Sequence, residues 1–584
     1  MCGILGTNYQ TDNFKQALHL LDNRGPDNQT VLNFDNNQFG HTRLAIIDLD
    51  DEANQPMEFD DIIITFNGEI YNYKELIINE QLNCITKSDT EVIIRLYQKY
   101  DAQFLNNLNG MFSFCLFDKK KNKFFCARDK FGKKPFYYYS QKGKFIYSSE
   151  IKSILKLLKN KPPINMNAFE EYLSFMTPIT TTFYSGIEKL AAGHYLVFKN
   201  KELTISKYYD IDKIETIPNQ KEEDILENVE NLLIDSVKQR LNSDVKVATL
   251  LSGGLDSSII SALYTKIANQ RINTFCIGYD EYTHYSELAF AKQVSKHINS
   301  IHHEVIMTKK DFIETIDLML EKMDEPFADS ASIPTYFLSK FIHRHGIKVA
   351  LSGEGSDESF LGYDNYFNVL DHYKSTGNEI PFQWTKEWEY NNRAFNKETI
   401  YRSFGETFTE KQKQLLLKNY KIKNNNLNDL STYPPFKWMT YIDFKIWIAE
   451  VLMTKIDRMS MSHSLELRAP FLDYRLVEYL LTINEDIKKG TTNKYLLKTI
   501  STKYLPKEII HRKKKGFSFP FIEWLFEEYG DNILNTILNV NKELNLFNED
   551  YVKFIYNEAK EKKSKQHLWN LYIFSRWYNK HYKD

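Results

Sequence analysis

The chain has 584 residues, more than one hydrophobic core is expected to organise, so two or more domains are predicted. Hydrophobic residues make up 42% and charged residues 26%, and the formal net charge is −2, which offers no basis for a nucleic-acid or membrane-surface binder. Its apolar runs are of strand length, short of the ~18 residues that span a bilayer, and the start lacks the basic-then-apolar pattern of a signal peptide.

The first ~200 residues read as short strands with a few helices between them. "HTRLAIIDL", "DIIITFNGEIYN", "GMFSFCLFD", "NKFFCARDKFG", "KPFYYYS" and "KFIYSSE" are aromatic and β-branched runs separated by turn residues. "SDTEVIIRLYQKY" has helical spacing behind a capping Ser-Asp, and "GHYLVFKNKELTISKYYD" reads as a last hairpin. From about Lys221 the pattern changes to alternating helices and strands. "EEDILENVENLLIDSVKQRL" is a helix, and "VKVATLLSGGLDSSIISALYTKI" is strand, glycine-rich loop and helix. "INTFCIGYD", "SELAFAKQVSKHI", "HHEVIM", "ASIPTYFLSKFIHRHG" and "IKVALSGEGSDES" continue the alternation, which predicts a parallel sheet covered on both faces. Residues ~365 to 584 read as mostly helical, with a polar loop at 421–430.

Five cysteines, Cys2, Cys84, Cys115, Cys126 and Cys276, are odd in number and scattered, with no CxxC. This predicts neither a disulfide framework nor a zinc site, and a reducing cytoplasm. Four read as small buried hydrophobes. Cys2 stands apart, because no core residue has to sit beside the chain start.

The loop "LLSGGLDSS" (250–258) feeds glycines and hydroxyls into a helix start, where backbone N–H groups and the positive helix end can meet an anion. It is neither a Walker A loop nor GxGxxG. "LSGEGSDESFLGY" (351–363) repeats the arrangement, and two such loops at strand ends of one parallel sheet point into a common crevice. Asp256, Glu354, Asp357 and Glu358 bring carboxylates to a phosphate site, which is coherent only with an intervening divalent cation, best Mg²⁺.

SGGLDSS resembles the pyrophosphate loop of ATP pyrophosphatases. Together with "GEGSDE", "KIDRMSMSHSLELRAPFLD" (455–473) and "RKKKGFSFPFIEW" (512–524), it resembles the synthetase part of the glutamine-hydrolysing asparagine synthetases. That resemblance implies cleavage of ATP to AMP and pyrophosphate, with adenylation of a carboxylate. It implies nucleotide contacts at Leu251, Ser252, Gly253, Gly254, Asp256, Ser257, Ile277, Ser352 and Gly353. It implies Mg²⁺ at Asp256 and Asp357, and roles for Glu354 and Lys455 in the adenylate step.

The same resemblance gives Cys2 a task. In class II glutamine amidotransferases the initiator Met is removed and the exposed Cys attacks the glutamine amide, with its own α-amine as base. Asn67 and Gly68 of "NGE" would stabilise the oxyanion, Arg43 would grip the glutamine carboxylate, and Asp89, helped by Glu69, would pair with the ammonium. "RGPD" (24–27) and "ARDKFGKKPFYY" (127–138) are family-like as well. Taken singly, "NGE" reads as a hairpin turn and "SDTE" as a helix cap; found together in family order they point to the site.

The implied fold class is an α+β N-terminal-nucleophile (αββα) glutaminase domain over 2–205, then an α/β doubly wound parallel-sheet synthetase domain with added helices over 222–530. A helical C-terminal extension over 531–584 carries no motif. The implied reaction makes asparagine from aspartate, ATP and glutamine-derived ammonia through β-aspartyl-AMP; amidation of another carboxylate, such as a cell-wall or surface-polysaccharide precursor, is the alternative. Partners are these small molecules, with no nucleic acid and no membrane, and a homodimer left open. Two departures bear on the acceptor and the junction: the family's GEGADELFGGY is "GEGSDESFLGY" here, with Leu361 for a glycine, and "AAGHY" (191–195) stands for Pro-Pro-Gly-His.

Overall fold

Aromatic and β-branched alternation in the first 210 residues builds two antiparallel sheets of six strands each. The computed structural model describes residues 2–212, 214–373, 377, 379–422, 434–513 and 518–583. In one sheet the spatial order is Ile187–Lys189, Tyr137–Gln141, Lys144–Ser148, Gly3–Thr7, Asn37–Arg43, Asn28–Phe34. In the other it is Glu202–Lys207, His194–Lys199, Lys123–Arg128, Gly110–Asp118, Ile62–Ile70, Met57–Phe59.

Strand Gly110–Asp118 shows why the sheets stack. Cys115 and Phe117 pack with Ile4, Phe39 and Tyr147 of the facing sheet, while Phe112, Phe114 and Leu116 turn to the helix Asp89–Tyr100. Side chains alternate across a strand, so one run of apolar residues serves two interfaces. Helices Phe14–His19 and Ile151–Leu157 cover the other sheet, giving the αββα order. Helix Asp89–Tyr100 begins as its sequence predicts, with the Ser88 hydroxyl accepting from the Thr90 N–H.

Two readings of this region change. The run "HTRLAIIDL" leaves the sheet at Arg43. Leu44 and Ile46 instead join a core with Ile225, Val229 and Val247 of the second half, so their apolar character reflects a seam and not a strand. "NGE" is no hairpin turn: Asn67, Gly68 and Glu69 lie inside strand Ile62–Ile70, paired with Ser113, Phe112 and Met111.

The second half carries a parallel sheet of five strands in the order Ile301–Met307, Asn273–Tyr279, Val247–Leu250, Val349–Leu351, Glu466–Arg468. The chain steps outward one way from Val247–Leu250 and then returns to its other side. The switch point therefore lies between Val247–Leu250 and Val349–Leu351, whose carboxyl ends carry the two glycine loops. Strand Glu466–Arg468 was not foreseen; three residues are too few to display a period.

A long helical passage leads to that strand. Pro435–Asp443 is α-helical, Phe444–Leu452 is wound more widely as a π-helix, and Met453–Met461 is α-helical again. The polar stretch 421–430 lies outside the described residues from 423 onward. Segment 531–584 forms helices Asn532–Leu544, Glu549–Lys560 and Lys565–His581. The last is core: Trp569, Phe574 and Trp577 are buried, with Trp569 stacked on Phe312, Phe574 tilted against Phe169 and Trp577 edge-on to Phe183. No helix among the described residues is long and apolar enough to cross a membrane.

Candidate active sites

Cys2 precedes the strand Gly3–Thr7, which lies inside the first sheet, so the chain start is held from both sides. The Cys2 N–H donates to the Asn67 side-chain oxygen at 3.1 Å, and Arg24 Nε donates to the Cys2 carbonyl at 3.0 Å. Burial pushes the thiol above its ordinary pKa, so a nearby base is needed to make it a nucleophile. Cys2, Arg43, Gln55, Gly68, Glu69, Ser88 and Asp89 line one small cavity of about 30 Å³. Asn67 lies against it through its bond to Cys2, and its Nδ2 is 3.5 Å from Ser113 Oγ. Gly68 is dictated by close approach: a Cβ there would fall 2.1 Å from the Met111 carbonyl on the paired strand.

The electrostatics sort the predicted residues. Arg43 is held by the loop that follows it, donating to Asp50 O at 2.9 Å, to Asn54 Oδ1 at 2.8 Å and to Asp48 O. Asp89 Oδ2 accepts from the Ile70 N–H at 2.8 Å, and burial pushes its carboxyl up to about 6. Glu69 faces the other half of the molecule: Arg468 Nη2 donates to its Oε2 at 3.0 Å. Burial raises the Glu69 carboxyl well above the usual range, with Arg468 opposing. Of the remaining cysteines, Cys115, Cys126 and Cys276 are buried, Cys84 is half-buried, and all five are free thiols.

The second site is a cavity of about 550 Å³ at the switch point, of a size that suits a nucleotide-scale ligand. Its lining includes Leu251, Ser252, Gly254, Asp256, Ser257, Ile277, Ser352, Gly353, Glu354, Asp357 and Glu358. Of the residues predicted to meet the nucleotide, only Gly253 is off the wall; it sits at φ +75°, where the loop turns towards helix Leu255–Ala268. The Ser257 hydroxyl folds the loop by accepting from the Ser252 N–H at 3.2 Å. The two loops are tied by Ser356 Oγ, which donates to Asp256 Oδ1 at 2.8 Å. The serine that replaces the family's alanine at 356 thus bonds across the site.

Lys455 is buried and is not among the residues lining this cavity; its Nζ lies 3.2 Å from Asp329 Oδ2 and 4.0 Å from Oε1 of Glu354, which does line it. Burial works against its ammonium, but Asp329 and Glu354 outweigh that and raise its pKa. Burial raises Glu354, with Lys455 opposing, and pushes Glu358 up to about 8 beside Asp357. Tyr363 OH donates to Glu358 Oε1 at 2.6 Å. Asp256 and Asp357 converge from the two loops, each within 2.7 Å of the ammonium of Lys494. Two hard carboxylates closing on one cationic point beside a helix N-terminus are a donor set that fits Mg²⁺ carrying phosphate oxygens.

Reading the sequence missed the residues that join the sites. Arg24 is 1% exposed and forks onto Asp457 at 2.7 and 3.0 Å, and Asp457 lies two residues beyond Lys455. Lys134 reaches the same carboxylate at 3.3 Å, and Arg128 and Lys189 meet Glu450 at 3.2 and 2.9 Å. Arg24 belongs to "RGPD", and Arg128 and Lys134 to "ARDKFGKKPFYY". The motifs were visible, but nothing local shows that they cross between halves. The segment "RKKKGFSFPFIEW" is described except for 514–517; its Arg512 donates to the Gly253 carbonyl at 2.9 Å.

A glutamine amidotransferase domain model matches residues 1–209, and an asparagine synthase model matches residues 228–579. The chain is 30% identical to asparagine synthetase (glutamine-hydrolysing) 1 of Bacillus subtilis (strain 168), over 99% of this chain and 96% of that one. It is also 30% identical to asparagine synthetase (glutamine-hydrolysing) 3 of the same organism, over 92% of each. It is 27% identical to amidase chyE of Penicillium rubens, over 89% and 86%. The two sites and these matches place the chain in the glutamine-hydrolysing asparagine synthetase family.

Proposed function

We propose that this chain makes asparagine from aspartate, with ATP as activator and glutamine as nitrogen donor. The observation that carries this reading is that one chain holds two different sites. One has a buried thiol beside an asparagine and a glycine N–H; the other has two glycine loops that bring four carboxylates to one cavity.

Residues 2–205 would act as the glutaminase. The Cys2 thiol passes its proton to the α-amine, freed by removal of Met1 and held by Asn67 Oδ1, as the sulfur attacks the glutamine amide carbon, and that proton returns to the departing amide nitrogen. Asn67 Nδ2 and the Gly68 N–H stabilise the oxyanion, ammonia leaves, and water releases glutamate from the thioester. Arg43 and Asp89 hold the two charged ends of glutamine. Residues 222–530 would act as the synthetase. The aspartate β-carboxylate attacks the α-phosphorus of ATP, pyrophosphate departs, and ammonia displaces AMP from the β-aspartyl carbon. Lys455 stabilises charge on the α-phosphate, and Glu354 takes the proton from the attacking nitrogen. Asp256 and Asp357 would hold Mg²⁺, which neutralises pyrophosphate charge. The free thiols and balanced charge support a cytoplasmic setting.

One observation favours a second reading of the acceptor. Leu361, where the family carries glycine, sits at φ +56° and packs on Tyr366 and Val369 beside the cavity. The amidase relative points the same way. A turnover assay with ATP, Mg²⁺, glutamine and a panel of carboxylates separates the two by product mass. Asparagine, glutamate, AMP and pyrophosphate are expected. ADP as product would overturn the nucleotide site; an amide from another acid with none from aspartate would reassign the acceptor.

A further inference from the structure

Lys494 lies in the segment that follows strand Glu466–Arg468 and has no place in the motifs above. It is 6% exposed and reaches the nucleotide cavity between the two glycine loops. Its Nζ donates to Asp256 Oδ1 at 2.6 Å and pairs with Asp357 Oδ1 at 2.7 Å. Three features hold it there. Lys494 occupies the left-handed region at φ +55°, ψ +35°, where it caps helix Tyr495–Ser501, so its side chain leaves the helix at a set angle. Gly362 makes room: a Cβ there would lie 2.1 Å from Asp357 Oδ1 and 2.2 Å from Lys494 Cε. The next lysine inward, Lys498, lines the same cavity but is turned to Thr492 Oγ1 at 2.6 Å.

The Lys494 ammonium is thus paired on both sides, with one carboxylate from each glycine loop. Two carboxylates brought together in a partly buried cavity repel one another unless a cation stands between them. Lys494 supplies that cation from the chain itself. A divalent ion arriving with a triphosphate needs the same two oxygens, and it brings two charges to the position that the lysine serves with one.

We propose that Lys494 is a positioning residue that holds the Asp256–Asp357 pair as an internal counter-ion and yields it to the metal–nucleotide complex. The consequence is selectivity for the complex over free metal. A bare divalent ion must displace a bonded ammonium, whereas the metal–triphosphate offers that ammonium new oxygen partners. The inference rests on the reading of Asp256 and Asp357 as metal and phosphate carboxylates.

Mn²⁺ binding to the full-length protein, followed by the loss of the free-ion electron paramagnetic resonance signal, tests it. The wild type is expected to bind Mn²⁺ weakly alone and tightly with a non-hydrolysable ATP analogue. Lys494→Gln removes the ammonium and should tighten binding of Mn²⁺ alone by roughly ten-fold or more, because one close positive charge has gone. Adding Asp357→Asn to Lys494→Gln should abolish the gain, and Lys494→Arg should restore wild-type behaviour. Thermal denaturation supplies a second readout: Lys494→Gln should melt lower than wild type in chelator and recover when Mn²⁺ is added. Unchanged Mn²⁺ affinity in Lys494→Gln, with nucleotide-dependent binding intact, overturns the exchange while leaving the metal reading standing. Mn²⁺ that binds neither protein, with analogue or without, overturns both.

Discussion

At the residue scale, the proposed glutaminase pocket is a small set of mostly buried groups, several of them polar or charged. Asp89 is the clearest case. Desolvation lifts its carboxyl to about 6, so it is ionised at neutral pH and protonated in mild acid. A carboxylate that pairs with the glutamine ammonium must be charged. The KM for glutamine is therefore expected to fall as pH rises through about 6 and to level off above it. A bound ammonium favours the ionised form, so the midpoint should move to lower pH at saturating glutamine. Initial-rate measurements of glutamate release between pH 5 and 8 check this, and a KM flat across that range would remove Asp89 from the ammonium contact. The sequence exposed Cys2, Asn67, Gly68, Arg43 and Asp89 through their company in the chain. It could not show that Glu69, on the wall of the same cavity, is also bonded to Arg468, because that partner lies 399 positions on.

At the scale of elements, the helical passage through 435–461 carries the second half to the first. Its π-wound turn contains Glu450, and its last α-helical turns contain Lys455, Asp457 and Arg458. Asp457 is 1% exposed between Arg24 and Lys134. Burial alone would raise its carboxyl, but Arg24 and Lys134 prevail and hold it below the usual range. A depressed carboxylate contributes stability that is present above its unfolded pKa and lost as pH falls through its folded value. Asp457→Asn leaves Arg24 buried with one formal partner fewer, and removing one member of a buried pair costs about 3–5 kcal/mol. The expected result is a clear drop in urea midpoint at neutral pH that narrows in acid, measured by tryptophan fluorescence. An unchanged midpoint would mean that the pair is dispensable to the seam. Strand Glu466–Arg468 is one of several short elements that sequence reading passed over, yet its Arg468 bonds both Glu466 and Glu69, at 2.6 and 3.0 Å.

At the scale of the whole molecule, the proposed chemistry is divided between two halves that share their ion pairs. Cys2→Ala removes one buried sulfur from the glutaminase pocket and nothing from the nucleotide cavity. The variant is expected to lose glutamine hydrolysis and glutamine-dependent synthesis, while amide formation from added ammonium persists. That ammonia-driven rate should climb between roughly pH 7 and 9 as the free-base fraction grows. Paired assays of the two nitrogen sources check it. Retained glutaminase activity would exclude Cys2 as the nucleophile, and loss of both activities would make it structural.

What the sequence determined by itself is local. Period-two alternation, capping residues and glycine loops are properties of neighbours along the chain. They were enough to read most strands of both halves, the start of helix Asp89–Tyr100, and the two loops at the strand ends. The loop "SGGLDSS" was legible as a strand-to-helix turn for the same reason, whereas "NGE" read alone as a turn and lies inside a strand. What only tertiary structure decided is which distant charges meet. Arg24 with Asp457 and Glu69 with Arg468 are pairs set by burial across the seam, and Lys494 with Asp256 and Asp357 is set by loops brought together within the second half. A lysine or arginine at a strand or helix end looks the same in sequence whether water or a carboxylate faces it. The desolvation that makes such a charge matter appears only when the halves close around it.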